Sequence, residues 1–254
     1  MSSSKINSRF MLASFVTLFC TVIAASLVIF CAYLKFPQKK LDSISRWWAR
    51  NILNAAGIKT HFKGLEYLPE GPAVLAGNHQ GVFEILALIA FLPRSAVFVG
   101  KQEAFKIPLF GQGMLAVGHI PVDRKNHEKA VANIQAGAKR LKETGNQVVF
   151  FPEGTRTRNG KLQDFKKGAF VFAIESQLPI VPFVVDGSYQ ALPPKTKVIH
   201  PGNVYIEFLP VIPSDGVSLE DRDTLRDQTR EVIHAALQKM RSTQEISEDT
   251  LSTH

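Results

Sequence analysis

The chain predicts an α/β fold: a mostly parallel mixed sheet flanked by helices, preceded by an N-terminal membrane helix and an interfacial amphipathic helix. Three observations carry that reading. Apolar runs of strand length alternate with helical patterns from Gly57 onward. A run of 25 residues without a charge extends from Phe10 to Leu34. Polar motifs follow directly on two of the apolar runs, where loops beyond the carboxyl ends of parallel strands collect binding groups.

As a helix the uncharged run is roughly 37 Å long, enough for a hydrocarbon core of about 30 Å. It exceeds the apolar core of a signal peptide, and no small-x-small site follows it, so it reads as an anchor. Lys35, Lys39, Lys40, Arg46 and Arg50 follow it, against Lys5 and Arg9 before it. The positive-inside rule then places the body on the cytoplasmic side. Leu41–Ala56 is the amphipathic segment, with Leu41, Ile44, Trp47, Trp48, Ile52 and Ala55 at three- and four-residue steps and Arg46, Arg50 and Asn54 opposite. Residues 1–57 thus form the anchoring unit.

The body, residues 58–241, alternates. Strands are expected at Ala73–Ala76, Val97–Val99, Val148–Phe151, Ile180–Val185 and Val204–Phe208. Helices are expected at Phe83–Phe91, Asn126–Glu143, Phe170–Glu175 and Leu219–Met240. Residues 242–254 are polar and read as a disordered tail.

Composition and charge exclude several function classes. With 45% hydrophobic and 20% charged residues the chain is neither disordered nor a repeat array. Two cysteines, both in the uncharged run, are too few for a disulfide framework or a cysteine-rich metal site. The net charge of +8 is uneven: residues 215–254 hold five Lys/Arg against nine Asp/Glu, whereas residues 35–214 hold 23 against 13. A basic body expects an anionic partner: nucleic acid, a phosphorylated metabolite or an anionic membrane. No nucleic-acid module is recognisable, and a membrane anchor argues against that partner. No Gly-x-Ser-x-Gly elbow, nucleotide loop or metal-binding His/Cys spacing occurs, so hydrolase, dehydrogenase and metal-dependent chemistry are not expected, nor is a cofactor.

Two strand-end motifs remain. In the first, Asn78-His79-Gln80-Gly81-Val82-Phe83-Glu84, a histidine and a carboxylate lie five apart. They meet only if His79 sits in the loop and Glu84 in the first turns of the following helix. The carboxylate then fixes one ring nitrogen and leaves the other as a general base. In the second, Phe151-Pro152-Glu153-Gly154-Thr155-Arg156, Thr155 and backbone amides offer donors to an anion, and Arg156 a planar fork suited to phosphate. Lys101 and Arg124 stand after other apolar runs, and with Arg156 they form a candidate phosphate pocket.

Asn78-His79-x4-Glu84, Gly118-x-Ile120-Pro121-Val122-Asp123-Arg124, Phe151-Pro152-Glu153-Gly154-Thr155-Arg156 and Ile180-Val181-Pro182 resemble the four ordered blocks of the glycerolipid acyltransferase family, and within it the bacterial 1-acylglycerol-3-phosphate acyltransferases. The likeness spans about residues 60–210. Two departures stand out: Glu84 occupies a position where the family usually carries aspartate, and His119 and Pro121 occupy positions more often apolar.

The resemblance implies transfer of a fatty acyl group from a thioester, acyl-ACP or acyl-CoA, to the sn-2 hydroxyl of 1-acyl-sn-glycerol-3-phosphate (lysophosphatidic acid), at the cytoplasmic side of a bacterial inner membrane. The partners are then lysophosphatidic acid, membrane phospholipid and acyl carrier protein or coenzyme A. Within that scheme His79 and Glu84 are catalytic, while Asn78, Lys101, Arg124, Glu153, Gly154, Thr155 and Arg156 serve the substrate. The mechanism also offers backbone amides near Gly154 or Gly81 to the oxyanion. Other readings are a different lysolipid acceptor, or a membrane-tethered lipid-binding protein impaired in catalysis by Glu84.

Overall fold

The computed structural model describes residues 7–122, 137, 141 and 143–252. Two long helices, α1 (Ser8–Tyr33) and α2 (Gln38–Ala56), precede a sheet of seven strands among the described residues. The strands are β1 (Ile58–Lys63), β2 (Val74–Gly77), β3 (Ala96–Lys101), β4 (Ile120–Val122), β5 (Gln147–Phe150), β6 (Ile180–Asp186) and β7 (Gly202–Phe208), in the order β1-β7-β6-β2-β5-β3-β4. Helices α3 (Phe83–Phe91), α4 (Gln102–Phe105), α5 (Phe110–Val117), α6 (Gly168–Ser176), α7 (Ser188–Ala191) and α8 (Arg222–Ser252) connect and cover them.

Strand pairing is parallel except between β6 and β7. Five adjacent strands, β6, β2, β5, β3 and β4, therefore point the same way. The loops after β2, β5 and β6 and the end of β3 come out at one edge. All five expected strands form, within a residue or two. The two unforeseen ones lie at the sheet's borders: β1 carries lysine or histidine at alternate positions, and β4 is three residues long around Pro121. An edge strand tolerates a proline because one side of its ladder is unpaired.

The two-residue period of the strands divides the core. Leu75, Val149, Val181, Phe183 and Val185 pack with α2 and α3, whereas Val74, Ala76, Val148, Phe150 and Ile180 pack with α6 and α8. Of the expected helix Asn126–Glu143, nearly all lies outside the described residues, as does Arg124. The expected tail differs as well, since α8 continues helically to Ser252. Residues 241–252 contain neither glycine nor proline, so no local signal stops the helix.

The amphipathic segment requires a correction. α2 forms as expected, but its apolar stripe faces inward: Leu41, Ala49, Ile52, Leu53 and Ala56 are buried, most of them in the core shared with α3. What covers the rest of that stripe is α1. Trp48 donates its indole N–H to Thr21 Oγ1 at 2.9 Å, and Val28 and Cys31 pack with Leu41. Of the paired tryptophans, Trp47 is the one left exposed.

α1 is long and apolar enough to cross a membrane. Its packing adds a constraint. At its start, Asn7 Nδ2 donates to Ile199 O (2.7 Å) and Oδ1 accepts from Ile199 N (3.2 Å). Near its end, Val28 and Cys31 pack beside Ala116 and Val117. Both ends are thus fastened to the body, and the small residues Ala13, Cys20, Ala24 and Ala25 form the inner face. The outer face exposes Met11, Leu12, Phe15, Leu18, Phe19 and Phe30, a surface too apolar to be left in water.

Candidate active site

His79 lies two residues beyond β2, and Glu84 is the second residue of α3. The strand ends at Gly77, where a Cβ would overlap the buried Phe183 ring, so glycine lets the ring pack against the backbone here. Asn78 is buried, and both polar atoms of its amide bond to backbone: Nδ2 donates to Val185 O (2.8 Å) and Oδ1 accepts from Val185 N (2.7 Å). Expected to touch substrate, Asn78 instead locks the end of β2 to β6.

Glu84 Oε1 accepts from His79 Nδ1 at 2.8 Å and from the backbone N–H groups of Gln80 and Gly81, both at 2.7 Å. Its other oxygen accepts from Ser188 Oγ. Burial alone would push this carboxyl upward in pKa. The hydrogen bonds from His79, Ser188 and Gly81, with the charge attraction of His79, outweigh that and hold it below its ordinary value. An ionised Glu84 accepts the Nδ1–H, so Nε2 is the nitrogen left basic. Phe151 stacks on the ring with centroids 4.2 Å apart.

Glu153 joins the two motifs. Its Oε1 accepts from His79 N (2.7 Å), and Oε2 from Gln163 N (3.1 Å) and Gln163 Nε2 (2.8 Å). Desolvation, partly offset by these bonds, raises its pKa. Placed beneath the loop, Glu153 braces it. Thr157 N donates to His79 O (2.9 Å), a second tie between the loops.

A cavity of about 850 Å³ opens beside His79. Lys101, Thr155 and Arg156 line it, and all three side chains are exposed. Lys101 approaches Glu103 at 3.6 Å. Lys166, which the sequence did not single out, also lines the cavity and lies across Gly154. The remaining wall is hydrocarbon: Trp48, Ile89, Phe98, Phe110 and Met114 among others. Of the backbone amides near Gly154 or Gly81, those of the two glycines themselves are engaged: Gly81 N donates to Glu84 and Gly154 N to Phe151 O (2.9 Å).

Three further residues escaped the sequence reading. Ser188 supports Glu84, and Asp186 Oδ1 accepts from Gln80 Nε2 (2.8 Å) and from Arg241 Nη2 (2.9 Å). Asp186 ends β6 and Gly187-Ser188 follow it, as the other motifs follow β2 and β5, and that position was the available signal. Arg241 carried none, being one basic residue in a charged helix.

The sequence matches the family described as Acyltransferase over residues 59–186. A putative 1-acyl-sn-glycerol-3-phosphate acyltransferase of Caenorhabditis elegans is 36% identical, over 72% of this chain and 66% of that protein. The human 1-acyl-sn-glycerol-3-phosphate acyltransferase alpha is 32% identical over 68% of this chain and 62% of its own length. The chain spans from half to about two thirds of such curated relatives. The crystal structure of the lysophosphatidic acid acyltransferase PlsC from Thermotoga maritima superimposes with a TM-score of 0.77 at 21% identity, covering 92% of this chain and 95% of that one; the likeness is one of fold.

Proposed function

The chain belongs to the acyltransferase family, and from that premise we propose that it transfers a fatty acyl group from acyl-ACP or acyl-CoA to the sn-2 hydroxyl of 1-acyl-sn-glycerol-3-phosphate, giving phosphatidic acid. The observation that carries this reading is a His–Glu pair at a cavity that combines cationic groups with a hydrocarbon wall.

His79 Nε2 takes the acceptor hydroxyl proton as that oxygen attacks the thioester carbonyl. Glu84, kept ionised, stabilises the imidazolium that forms. The carbon–sulfur bond then breaks, and the thiolate leaves with the proton returned from His79. A thiolate is a good leaving group, so the step needs neither metal nor covalent enzyme intermediate. Arg156, Lys101 and Lys166 hold the acceptor phosphate, which converts binding energy into orientation of the hydroxyl. The acyl chain lies along Ile89, Phe110 and Met114.

Both lipids stay in the bilayer, whereas the donor arrives from the cytoplasm. With both ends fastened to the body, α1 lies along the membrane surface with its outer face among acyl chains, and the body remains on the cytoplasmic side. The deciding experiment presents the purified protein with lysophosphatidic acid or lysophosphatidylcholine and with each donor type. Phosphatidic acid is the expected product; transfer to neither lysolipid from either thioester overturns the reading.

A further inference from the structure

The cavity wall contains an imidazole that the proposed mechanism does not use. His119 follows α5, and its Nδ1 accepts from Phe98 N at 3.2 Å. A ring nitrogen that accepts an N–H carries no proton, so in the neutral ring the proton sits on Nε2. Burial pushes the ring's pKa down to about 4, which keeps it neutral in the cell. Among the described residues Nε2 has no partner. It is not sealed either, since among the described residues the only side-chain nitrogen or oxygen atoms both enclosed and unpartnered are those of Gln147. His119 borders the large cavity and two small ones: one of about 60 Å³ against α1, and a polar one of about 30 Å³ beside Asp42, Arg46 and Arg94.

Its surroundings in the large cavity are hydrocarbon. Trp48, which also lines that cavity, has already given its N–H to Thr21. The His119 and Phe98 rings stand at 86° with centroids 5.4 Å apart. An aliphatic residue would close the wall of the large cavity without placing there a donor that needs a partner. The donor therefore asks for an oxygen.

We propose that His119 forms a hydrogen-bonding subsite in the acyl channel, selecting acyl chains that carry an in-chain oxygen such as a hydroxyl or keto group. This rests on the acyl-transfer reading, which assigns the cavity to the chain. The hydrogen bond is between neutral partners, so the selectivity it confers is about three- to tenfold.

The test pairs thioesters of equal chain length, one plain and one carrying a hydroxyl, with the hydroxyl moved stepwise along the chain. The readout is the ratio of kcat/KM within one protein, so a general loss of activity cancels. The native protein should favour the hydroxylated donor at one or two adjacent positions. His119→Phe, which keeps a ring and loses the donor, should abolish the preference; His119→Gln, which keeps an N–H, should restore part of it. Equal ratios at every position, or a preference that survives His119→Phe, overturn the subsite and leave acyl transfer untouched. If no donor is turned over, the same comparison is read from binding of free hydroxylated and plain fatty acids to the detergent-solubilised protein. Tighter binding of the hydroxylated acid by the native chain alone supports the subsite; equal binding refutes it.

Discussion

Arg241 of α8 donates from Nε (3.2 Å) and Nη2 (2.9 Å) to one oxygen of Asp186, the oxygen that also accepts from Gln80. The same Nη2 reaches Gly160 O at 2.8 Å. One guanidinium of the C-terminal helix thus ties the His79 loop, through Gln80, to the loop that carries Arg156. Asp186 is buried, whereas Arg241 is about one third exposed. Arg241→Leu leaves a buried carboxylate short of its cation and should destabilise by about 1–3 kcal/mol, the exposed side of the pair reducing the cost. Adding Asp186→Asn removes the stranded charge, so the double variant should unfold at higher urea than Arg241→Leu alone. Strictly additive losses in the cycle would show that the two residues are not coupled.

Glu84 variants separate charge from shape. Glu84→Gln can keep Oε1 toward His79, Gln80 and Gly81 and meet Ser188 with its amide, so the tautomer survives while the negative charge is lost. The expected result is a folded protein with kcat lowered about 100-fold or more. Glu84→Asp keeps the charge but is one methylene too short to reach both His79 and Ser188, and should retain more activity than Glu84→Gln. His79→Ala should lose about 10²–10⁴-fold. Steady-state turnover with matched circular dichroism decides; near-native turnover by a folded His79→Ala protein removes the base from the mechanism.

The sequence made the His79–Glu84 meeting legible because the geometry is local: five residues, one loop and the start of one helix. The parallel sheet was legible because its central strands are continuous apolar runs. The inward face of α2 was not, since an amphipathic stripe has the same pattern whether it covers a membrane or a core. Only the docking of α1, whose small residues let it approach, decides between them. Ser188, Asp186 and Arg241 lie 55 to 106 residues from their partners, and no local spacing encodes such pairings.

Arg156→Lys tests the phosphate end of the cavity. Lysine keeps the charge and loses the two-pronged geometry, so the apparent KM for lysophosphatidic acid should rise. Grip on the phosphate also orients the hydroxyl, and kcat should fall with it. The KM of the thioester should change much less. Weakening confined to the thioester would place Arg156 on the donor instead.

The depressed pKa of His119 makes a claim about acid stability. Its folded value of about 4 lies below the 6.5 of an unperturbed histidine. Above pH 6.5 the ring is neutral in both states and contributes fully. Between pH 6.5 and 4 the unfolded chain binds the proton and the folded chain does not, so folding stability falls as pH falls. Below pH 4 both states are protonated and the loss is complete. Between pH 7.5 and 4.5 the loss attributable to His119 is about 2–3 kcal/mol. Glu153, whose pKa is raised, acts in the opposite direction, as its carboxyl takes up a proton more readily in the folded chain. Comparing native protein with His119→Phe removes that contribution, because both chains contain Glu153. Urea midpoints in detergent at the two pH values should therefore converge toward acid, the variant losing less than the native chain. Parallel loss in both proteins would mean that His119 takes up its proton inside the fold as easily as outside it.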